Sequence, residues 1–361
     1  MIPKNLNPPY RWGIIGTGVV AYDVTYAIQS VAGNHPVAVA SRTLANARRF
    51  AGAFGISSVY DRYDDLIDDP EVDIVYIAVP NVLHADLIRK CAAKGKHVLC
   101  EKPMCVSLEE AQELRDLLQR SDIFCMEAMW TRFVPATERL LAIVKAGQLG
   151  QPRLVTGSFG HIIHKQYHNQ PGEGVLADLG VYLIALCVSL FGKPDRTEGF
   201  CHENKDGVDE QASFLLQYDH GLTASFHCSY VATLDNTFSV HGTEGSATLC
   251  EPFYRSGFVE TQLYPQDRTA NDDSGSYRPE RNPYKGAFKY LSFLKRVVKN
   301  KLINTSKAVP YAGNAYHYQV KEVNRCLARG LTESPLMPPD LTVDIMEVVN
   351  TLKETEYKTL K

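Results

Sequence analysis

Long apolar runs are missing from this sequence of 361 residues. No stretch of about 18 apolar residues offers a membrane-spanning helix, and the first residues, MIPKNLNPPYRW, lack the apolar segment of a secretory signal. We therefore predict a cytoplasmic protein with no membrane partner. The basic stretch at residues 287–302 predicts a helix, for which a membrane-surface role is one interpretation, although we favour a solvated helix face.

An excess of charge of one sign and closely paired cysteines are absent too. The 38 Lys and Arg side chains against 41 Asp and Glu leave a formal net charge of -3, which provides no field to attract nucleic acid. The nine cysteines are scattered, with no Cys-x-x-Cys, and indicate reduced thiols. With 45% hydrophobic and 22% charged residues, the composition is that of an ordinary globular protein, and the length suggests two domains.

The first part of the chain alternates strands and helices. Short apolar runs at residues 11–15, 36–40, 74–79, 97–100 and 123–127 predict strands, with helical segments between them. The helix predicted at residues 43–55 ends on a glycine, and Ser107 with Glu110 forms a capping-box pattern at the start of another. This alternation is typical of an α/β fold with a doubly wound parallel sheet, the Rossmann architecture, which we assign to residues 1–131.

The pattern changes after residue 131. Helices predicted at residues 135–146 and 175–191 accompany strand-like runs at residues 153–163, 211–218, 222–230, 237–241, 247–250 and 259–264. Consecutive strands predict an antiparallel meander, so residues 132–361 are expected to form an α+β domain with a large, mostly antiparallel open sheet, whose last helix can return to the first domain. Residues 266–282, which are polar and contain Gly and Pro, predict a mobile loop.

A glycine-rich turn follows the first predicted strand. The strand leads directly into Gly16-Thr17-Gly18-Val19-Val20-Ala21, and a helix follows to about residue 30. In such a turn the first glycine permits the bend, the second lets backbone approach a pyrophosphate at the helix N-terminus, and the small Ala21 allows close helix packing. The pattern indicates a dinucleotide site. The alternative is a purely structural glycine turn.

The end of the second predicted strand bears on the choice of dinucleotide. NAD sites usually carry Asp or Glu there, whereas this strand ends Val39-Ala40-Ser41-Arg42. Arg42 suits a 2′-phosphate, and Ser41 adds a hydroxyl. We therefore predict NADP rather than NAD. The alternative is that Arg42 stacks on adenine without choosing between the cofactors.

Lys102 follows the apolar strand predicted at residues 97–100. Ligands of open α/β sheets bind at the carboxyl ends of the strands, and the neighbouring Pro103 fixes the local backbone, so we expect Lys102 to point into the crevice. A plain surface lysine is the alternative.

Several motifs together resemble one family. They are the glycine-rich turn, Ala78-Val79-Pro80-Asn81 with His84, Gly95-Lys96-His97-Val98 leading into Glu101-Lys102-Pro103, Glu127-Ala128-Met129-Trp130-Thr131-Arg132-Phe133, and Asp178-Leu179-Gly180-Val181-Tyr182. From Trp12 to about Tyr264 the chain is similar to the glucose-fructose oxidoreductase/inositol dehydrogenase (Gfo/Idh/MocA) family. Within it, the tyrosine at position 182 matches the branch of dimeric dihydrodiol dehydrogenases and NADP-dependent D-xylose dehydrogenases, where many other members carry histidine.

The resemblance implies where the active site lies. In the family the lysine of Glu-Lys-Pro lies beside the nicotinamide and the substrate hydroxyl, which places Lys102 there. The expected cofactor-binding residues are Gly16, Thr17, Gly18, Val19, Val20, Ser41, Arg42, Ala78, Pro80, Asn81, His84, Glu101, Lys102, Trp130 and Arg132. Trp130, Arg132 and Phe133 are also expected to line the substrate side.

The helix predicted at residues 175–191 supports this assignment. Asp178 is its one charged residue, and Tyr182 lies four residues on, on the same helix face. Because a buried, unpaired carboxylate is costly, we expect Asp178 to face the crevice and to accept a hydrogen bond from the substrate or from Lys102. The alternatives are core packing for Tyr182 and a structural salt bridge for Asp178.

Hydride transfer at an alcohol carbon needs a group that exchanges the hydroxyl proton. We assign this role to Tyr182, with Lys102 as its electrostatic partner, and the reverse assignment, proton exchange by a desolvated Lys102, stays open. The prediction is an NADP-dependent oxidoreductase acting on a sugar, a cyclic polyol or a trans-dihydrodiol. The alternatives are an enzyme that retains and internally recycles NAD(P), or a non-catalytic NAD(P)-binding regulator.

Two further expectations concern metal and assembly. His161, His164 and His168 lie three and four residues apart without an accompanying carboxylate motif, so we predict no metal. An antiparallel sheet packed on one face leaves the other face to be covered, and dimerisation between sheets is usual in the family. We therefore expect a homodimer or homotetramer formed through the C-terminal sheet.

Overall fold

The structure resolves two sheets with their helices. It is a computed structural model that describes residues 6–163, 172–264, 304–311 and 313–354. The loop predicted at residues 266–282 and the basic helix predicted at residues 287–302 lie outside the described residues.

The first sheet is parallel. Its strands are β1 (Tyr10–Ile15), β2 (Asn34–Ala40), β3 (Ser58–Tyr60), β4 (Ile74–Ile77), β5 (His97–Cys100) and β6 (Cys125–Glu127). Their order, β3-β2-β1-β4-β5-β6, reverses beside β1, so the carboxyl ends of β1 and β4 border the crevice at which ligands of such sheets bind. The predicted doubly wound sheet is confirmed, although the three-residue β3 was missed because it is too short to show a pattern.

Local sequence explains the ends of the helices around this sheet. The helices are α1 (Val19–Ser30), α2 (Leu44–Phe54), α3 (Tyr63–Asp68), α4 (His84–Ala93) and α5 (Leu108–Gln119). At the C-terminus of α2, Gly55 adopts a left-handed φ of 69°. At the start of α5, Ser107 Oγ accepts a hydrogen bond from Glu110 N, while the Glu110 carboxylate accepts one from Val106 N.

The second sheet follows α6 (Pro135–Lys145) in the chain. Its strands are β7 (Pro152–Gly160), β8 (Arg196–Glu203), β9 (Asp209–Tyr218), β10 (Leu222–Ser229), β11 (Phe238–Gly242), β12 (Gly245–Leu249), β13 (Phe258–Leu263) and β14 (Asn304–Ala308). Their order is β14-β13-β12-β11-β7-β10-β9-β8, with every pair antiparallel except the parallel pair of β7 and β10. The mostly antiparallel sheet is confirmed. The simple meander is wrong, because β7 lies between the consecutive strands β10 and β11.

The helix predicted at residues 175–191 has two parts. Leu176–Gly180 forms a π-helical turn, and α7 spans Val181–Phe191. The expectation of one regular helix is therefore wrong at its N-terminal end. Asp178 lies in the π-helical turn, and Tyr182 lies in the first turn of α7. Because π-helical turns occur often at functional sites, this local geometry agrees with the assignment of both residues to the site.

One face of the second sheet is packed and the other is open. In β9, Phe214 is buried while the next residue, Leu215, is exposed. Helices α6 and α7 contact the sheet at β7, β12 and β13. The strand registers place Leu154, Phe200 and Leu215 together on the open face, which we call the outer face.

The C-terminal helices contact the first domain. Helix α8 (His317–Ala328) contacts α1, and α9 (Pro339–Glu354) packs against α5 as well as α7 and β8. Thr342 Oγ1 donates a hydrogen bond to Glu127 Oε2 at 2.7 Å, so the end of the chain is tied to β6. None of the helices in the described ranges has the length and apolar character that crossing a membrane requires.

Candidate active site

A cleft of about 960 Å³ lies where strands β1, β2, β4 and β5 end. Its wall includes most of the residues assigned from the sequence, namely Gly16, Thr17, Gly18, Val19, Val20, Ser41, Arg42, Ala78, Pro80, Asn81, Glu101, Lys102 and Asp178. Four loops of the first sheet thus form the cleft together with the π turn of the second domain. This position at the switch point of a doubly wound sheet is the usual ligand site of the architecture.

The glycine-rich turn is shaped to receive an anion. Gly16 has a φ of +109°, and a Cβ atom there would lie 2.0 Å from the carbonyl oxygen of Ala78, so no larger residue fits. A Cβ atom on Gly18 would meet nothing within 4 Å, because the backbone borders the open cleft. Gly18 is also the N-cap of α1, and the positive end of the helix dipole therefore faces this space. The cradle fits a pyrophosphate.

The loop after β2 adds a cation to the cleft. Arg42 is exposed and lines the cleft, and the half-buried Asn46 and Tyr63 line it nearby. The hydroxyl oxygens of Thr17 and Ser41 lie 3.2 Å apart and connect this loop to the glycine-rich turn. The guanidinium and the nearby N-terminus of α2 both favour an anionic group here.

Lys102 forms an ion pair with Asp178, and its side chain is mostly buried. Its Nζ lies 2.6 Å from Asp178 Oδ1 and 2.8 Å from the Asp178 carbonyl oxygen, and 4.8 Å from the centroid of the Tyr182 ring. Burial lowers the pKa of Lys102, but the charges of Asp178 and Tyr182 and the hydrogen bond to Asp178 outweigh burial and raise the pKa above its usual value. Lys102 is therefore an ammonium group at neutral pH.

The Tyr182 side chain is buried among aromatic rings and is not part of the described cleft wall. Trp130 Nε1 donates a hydrogen bond to Tyr182 Oη at 3.0 Å, and the ring of Phe159 lies 5.6 Å from the Tyr182 ring. Burial raises the pKa of Tyr182 to about 12, although the positive charge of Lys102 and the hydrogen bond from Trp130 both act to lower it. The two residues that favour the phenolate, Lys102 and Trp130, both belong to residues 1–131, whereas Tyr182 lies in α7.

Asp178 is held from the second sheet. Tyr230 Oη, just after β10, lies 3.0 Å from both Asp178 Oδ2 and the Gly174 carbonyl oxygen, which share its single O–H proton as acceptors. Asp209 Oδ2 accepts a hydrogen bond from Leu176 N at 2.8 Å and fixes the start of the π turn. The Asp178 side chain remains 40% exposed, so its carboxylate meets both the cleft and Lys102.

Glu101 is a second carboxylate in the wall. Its Oε1 accepts a hydrogen bond from Tyr76 Oη at 2.6 Å, and burial raises its pKa to about 7. It can therefore exist in either protonation state near neutral pH.

Three residues that the resemblance assigns to the cofactor do not belong to the described cleft wall. His84 is buried, with Nδ1 2.9 Å from the Pro103 carbonyl oxygen and Nε2 2.8 Å from that of Val79, so its ring ties two wall segments together from behind. Trp130 is turned toward Tyr182. Arg132 is buried, and burial lowers its pKa. A direct cofactor contact stays a prediction for all three.

The histidines considered for metal binding are only partly within the described residues. His164 and His168 lie outside them, and His161 Nε2 lies 3.5 Å from Tyr254 Oη. Among the residues that the structure describes, no group of three or more potential metal ligands occurs.

Sequence reasoning missed part of the wall. The additional residues are Thr43, Asn46, Tyr63, Val79, Pro103, Gly172, Glu173, Gly174 and Tyr230. Thr43 and Asn46 follow Arg42 at the N-terminus of α2, and their closeness to Arg42 in the sequence could have predicted them as wall residues. Tyr230 had no comparable signal, because it lies 52 residues from its partner Asp178.

Known proteins are similar to this chain over nearly its whole length. A model described as "Oxidoreductase family, NAD-binding Rossmann fold" matches residues 10–129, and one described as "GFO/IDH/MocA C-terminal domain" matches residues 137–248. Trans-1,2-dihydrobenzene-1,2-diol dehydrogenase of Macaca fascicularis is 34% identical over 357 residues, and that of Bos taurus is 34% identical over 350 residues; each alignment covers 94% of this chain and 95% of the relative. A 3-ketoreductase from Actinomadura kijaniata, solved with NADP and TDP-benzene, has the same fold, with a TM-score of 0.77 at 22% identity and coverage of 96% of this chain and 97% of that chain.

Proposed function

Because this chain belongs to the Gfo/Idh/MocA family of oxidoreductases, we propose that it transfers a hydride between NADP and a CH–OH carbon of a sugar, a cyclic polyol or a trans-dihydrodiol. The observation that carries the proposal is the pair of Lys102 and Asp178 in the cleft wall, with the ammonium against the ring of Tyr182. A charged group and its counter-ion line the cleft at which sheets of this kind bind ligands, and a buried phenol ring lies 4.8 Å from the charged group.

The residues of the cleft fit the dinucleotide. The turn at Gly16 and Gly18 with the N-terminus of α1 would hold the pyrophosphate, and Arg42 would hold the 2′-phosphate. When bound, the nicotinamide supplies the hydride acceptor or donor. The remaining work of the protein is to orient the substrate, to exclude water and to move the hydroxyl proton.

We assign the proton to Tyr182. In alcohol oxidation its phenolate accepts the substrate hydroxyl proton, and in carbonyl reduction its hydroxyl donates one. Lys102 is the electrostatic partner, because a lysine with a raised pKa keeps its own proton and favours the phenolate through its charge. Asp178 orients Lys102 and preserves that charge.

The relatives and the pocket together support a ring-shaped substrate. The relatives that are 34% identical are named for a trans-dihydrodiol of benzene. Here Trp130 Nε1 bonds the Tyr182 hydroxyl and the ring of Phe159 lies 5.6 Å from the Tyr182 ring, so a planar or chair-shaped ring that reaches this hydroxyl would pack against aromatic side chains. A trans-dihydrodiol is therefore the first substrate class to test.

The test is the absorbance of reduced nicotinamide when the protein is mixed with NADP or NAD and a panel of trans-dihydrodiols, aldoses and inositols. Reduction of added NADP by one class supports the proposal and identifies the substrate class. Tight NADP binding with no turnover on any class contradicts it and favours the non-catalytic regulator. Nicotinamide that stays bound through gel filtration and turns over without added cofactor favours the internally recycling enzyme.

For the assembly, we propose a homodimer or homotetramer formed through the outer face of the second sheet. Phe200 is 64% exposed there, Leu215 is its diagonal neighbour on β9, and Leu154 lies on the same face in β7. Exposed apolar side chains on a flat sheet face support burial against a second copy.

A further inference from the structure

The Tyr182 oxygen has a fixed hydrogen-bond donor, and that donor is not Lys102. Trp130 Nε1 lies 3.0 Å from Tyr182 Oη, and the two side chains are 6% and 7% exposed. The Lys102 ammonium approaches the Tyr182 ring and directs its hydrogen bonds to Asp178. The group that contacts the reacting oxygen directly is therefore the indole.

We propose that Trp130 is the positioning residue of the proton-exchange step: its indole N–H holds the Tyr182 oxygen in place and stabilises the phenolate. The inference rests on the proposed function, because it takes the proton of the reaction to pass through Tyr182. Trp130 thereby has a polar role in addition to the apolar contact area of its ring.

The chemistry of the indole explains the direction of this effect. In alcohol oxidation the substrate O–H bond breaks and its proton joins the Tyr182 phenolate, while the C–H bond breaks and its hydride, with both electrons, reduces the oxidised nicotinamide. The indole N–H can only donate, so it keeps its proton throughout. A donor interacts more strongly with a charged oxygen than with a neutral one, so the hydrogen bond from Trp130 favours the phenolate over the phenol.

The indole is held in its donating orientation by aromatic packing. The Trp130 ring lies 4.7 Å from that of Tyr316 and 6.0 Å from that of Tyr254. Because the donor is fixed before the reaction, it stabilises developing charge without reorganisation.

Several other polar groups surround Tyr182. They are Glu101 and Lys102 after β5, Asp178 in the π turn, Tyr316 before α8, and His161 and Tyr254 beside Phe159. Lys102 favours the phenolate, whereas the negative charges of Glu101 and Asp178 oppose it. Replacing Trp130 with Phe removes none of these groups, so a change in the Tyr182 titration relative to the wild type reports on the lost N–H.

The sequence provides a matched control for this substitution. It contains two tryptophans, and Trp12 Nε1 also donates a buried hydrogen bond, to Asn34 Oδ1 at 2.8 Å, in β1 of the first sheet. Trp130→Phe and Trp12→Phe therefore make the same chemical change and each remove one buried indole hydrogen bond. Only the first removes a bond to the reacting oxygen.

The measurement is the pH dependence of kcat/KM for alcohol oxidation. In Trp130→Phe we expect the ascending limb to move to higher pH by about one to two units, and activity at neutral pH to fall about tenfold or more. Trp12→Phe should keep the wild-type midpoint. A folded Trp130→Phe variant with the wild-type midpoint overturns the inference.

A second measurement keeps the inference testable if Trp130→Phe does not fold. In Trp12→Phe, Trp130 is the sole tryptophan, and 5-fluorotryptophan at that position makes the N–H a stronger donor with little change of shape. The midpoint should then move to lower pH, and an unmoved midpoint overturns the inference.

A measurement without cofactor separates this inference from the proposed function. The indole N–H proton resonance of Trp130, identified by its loss in Trp130→Phe, should move upfield in Tyr182→Phe, and an unmoved resonance overturns the hydrogen bond. A wild-type protein that is inactive on every substrate class contradicts the proposed function instead.

Discussion

Asp178 determines the charge state of Lys102. Its Oδ1 accepts from Lys102 Nζ, and its Oδ2 accepts from Tyr230 Oη, so the carboxylate is held from both domains. Burial opposes a charged lysine, and the negative charge of Asp178 is the largest influence that favours it. The position of Asp178 thus helps to keep Lys102 protonated.

Replacing Asp178 with Asn is expected to lower the pKa of Lys102, because burial then acts without its main opposing charge. Lys102 should lose its proton at a pH where the wild-type lysine keeps it. A new descending limb should therefore appear in the alkaline pH profile of kcat, with a loss of about tenfold per pH unit above the new pKa. Asp116→Asn, a change in an exposed ion pair with Arg115, is the control. An alkaline limb unchanged in Asp178→Asn would contradict the assigned pairing.

Arg42→Ala is expected to discriminate between the two dinucleotides. Loss of a charge-assisted contact with a 2′-phosphate should weaken NADP binding by about 1.5–3 kcal/mol, roughly ten- to a hundredfold in Kd, and leave NAD almost unaffected. Titration of each cofactor by nicotinamide fluorescence measures both constants. Arg48→Ala, at an exposed arginine of the helix α2 that follows this loop, should leave both unchanged. Equal losses for NADP and NAD in Arg42→Ala would instead indicate stacking on adenine.

At the scale of elements, β6, the loop after β5 and α9 meet at one buried carboxylate. Glu127 is 3% exposed, and its oxygens accept hydrogen bonds from Met104 N at 3.0 Å and Thr342 Oγ1 at 2.7 Å. Met104 follows Lys102 by two residues. Glu127 therefore connects the segment that carries the active-site lysine to the C-terminal helix.

Glu127→Ala is expected to destabilise the fold by about 2–4 kcal/mol, because it leaves two buried donors without an acceptor. Glu127→Gln should cost less, since its amide oxygen still accepts one hydrogen bond and its NH₂ group can donate to the threonine hydroxyl. Denaturant-induced unfolding measures both. Glu113→Ala, in an exposed ion pair with Arg89, should change stability by less than about 1 kcal/mol. Equal stability of Glu127→Ala and wild type would refute the linking role.

Elements and site residues were predictable where consecutive residues encode them. The turn at Gly16 and the position of Lys102 after an apolar strand each follow from a few neighbouring residues. Strand β8 was missed because most of its side chains are exposed and it has no apolar alternation. Trp130 was predicted as a site residue by resemblance. Its hydrogen bond to Tyr182 joins residues 52 positions apart, and only the folded structure shows it.

For the whole molecule, the outer face of the second sheet offers a test of assembly. Phe200→Glu places a charge at its most exposed apolar side chain, which should convert a dimer or tetramer into smaller species by light scattering at micromolar concentration. Tyr26→Glu, at a position 56% exposed on α1, is the control and should keep the wild-type mass. A monomeric wild-type protein would contradict the proposed assembly.

The return of α9 to the first domain affects how the chain matures. Helix α9 packs against α5, and Leu6 N donates to the Leu327 carbonyl oxygen at 3.3 Å, so segments more than 200 residues apart in the sequence meet in the same half of the molecule. On the ribosome, the strands of the first sheet emerge roughly 200 residues before the helix that covers α5. The nucleotide-binding half is therefore completed only after α9 has emerged, and a nascent or prematurely terminated chain that lacks α9 leaves an apolar surface open to chaperones and proteases.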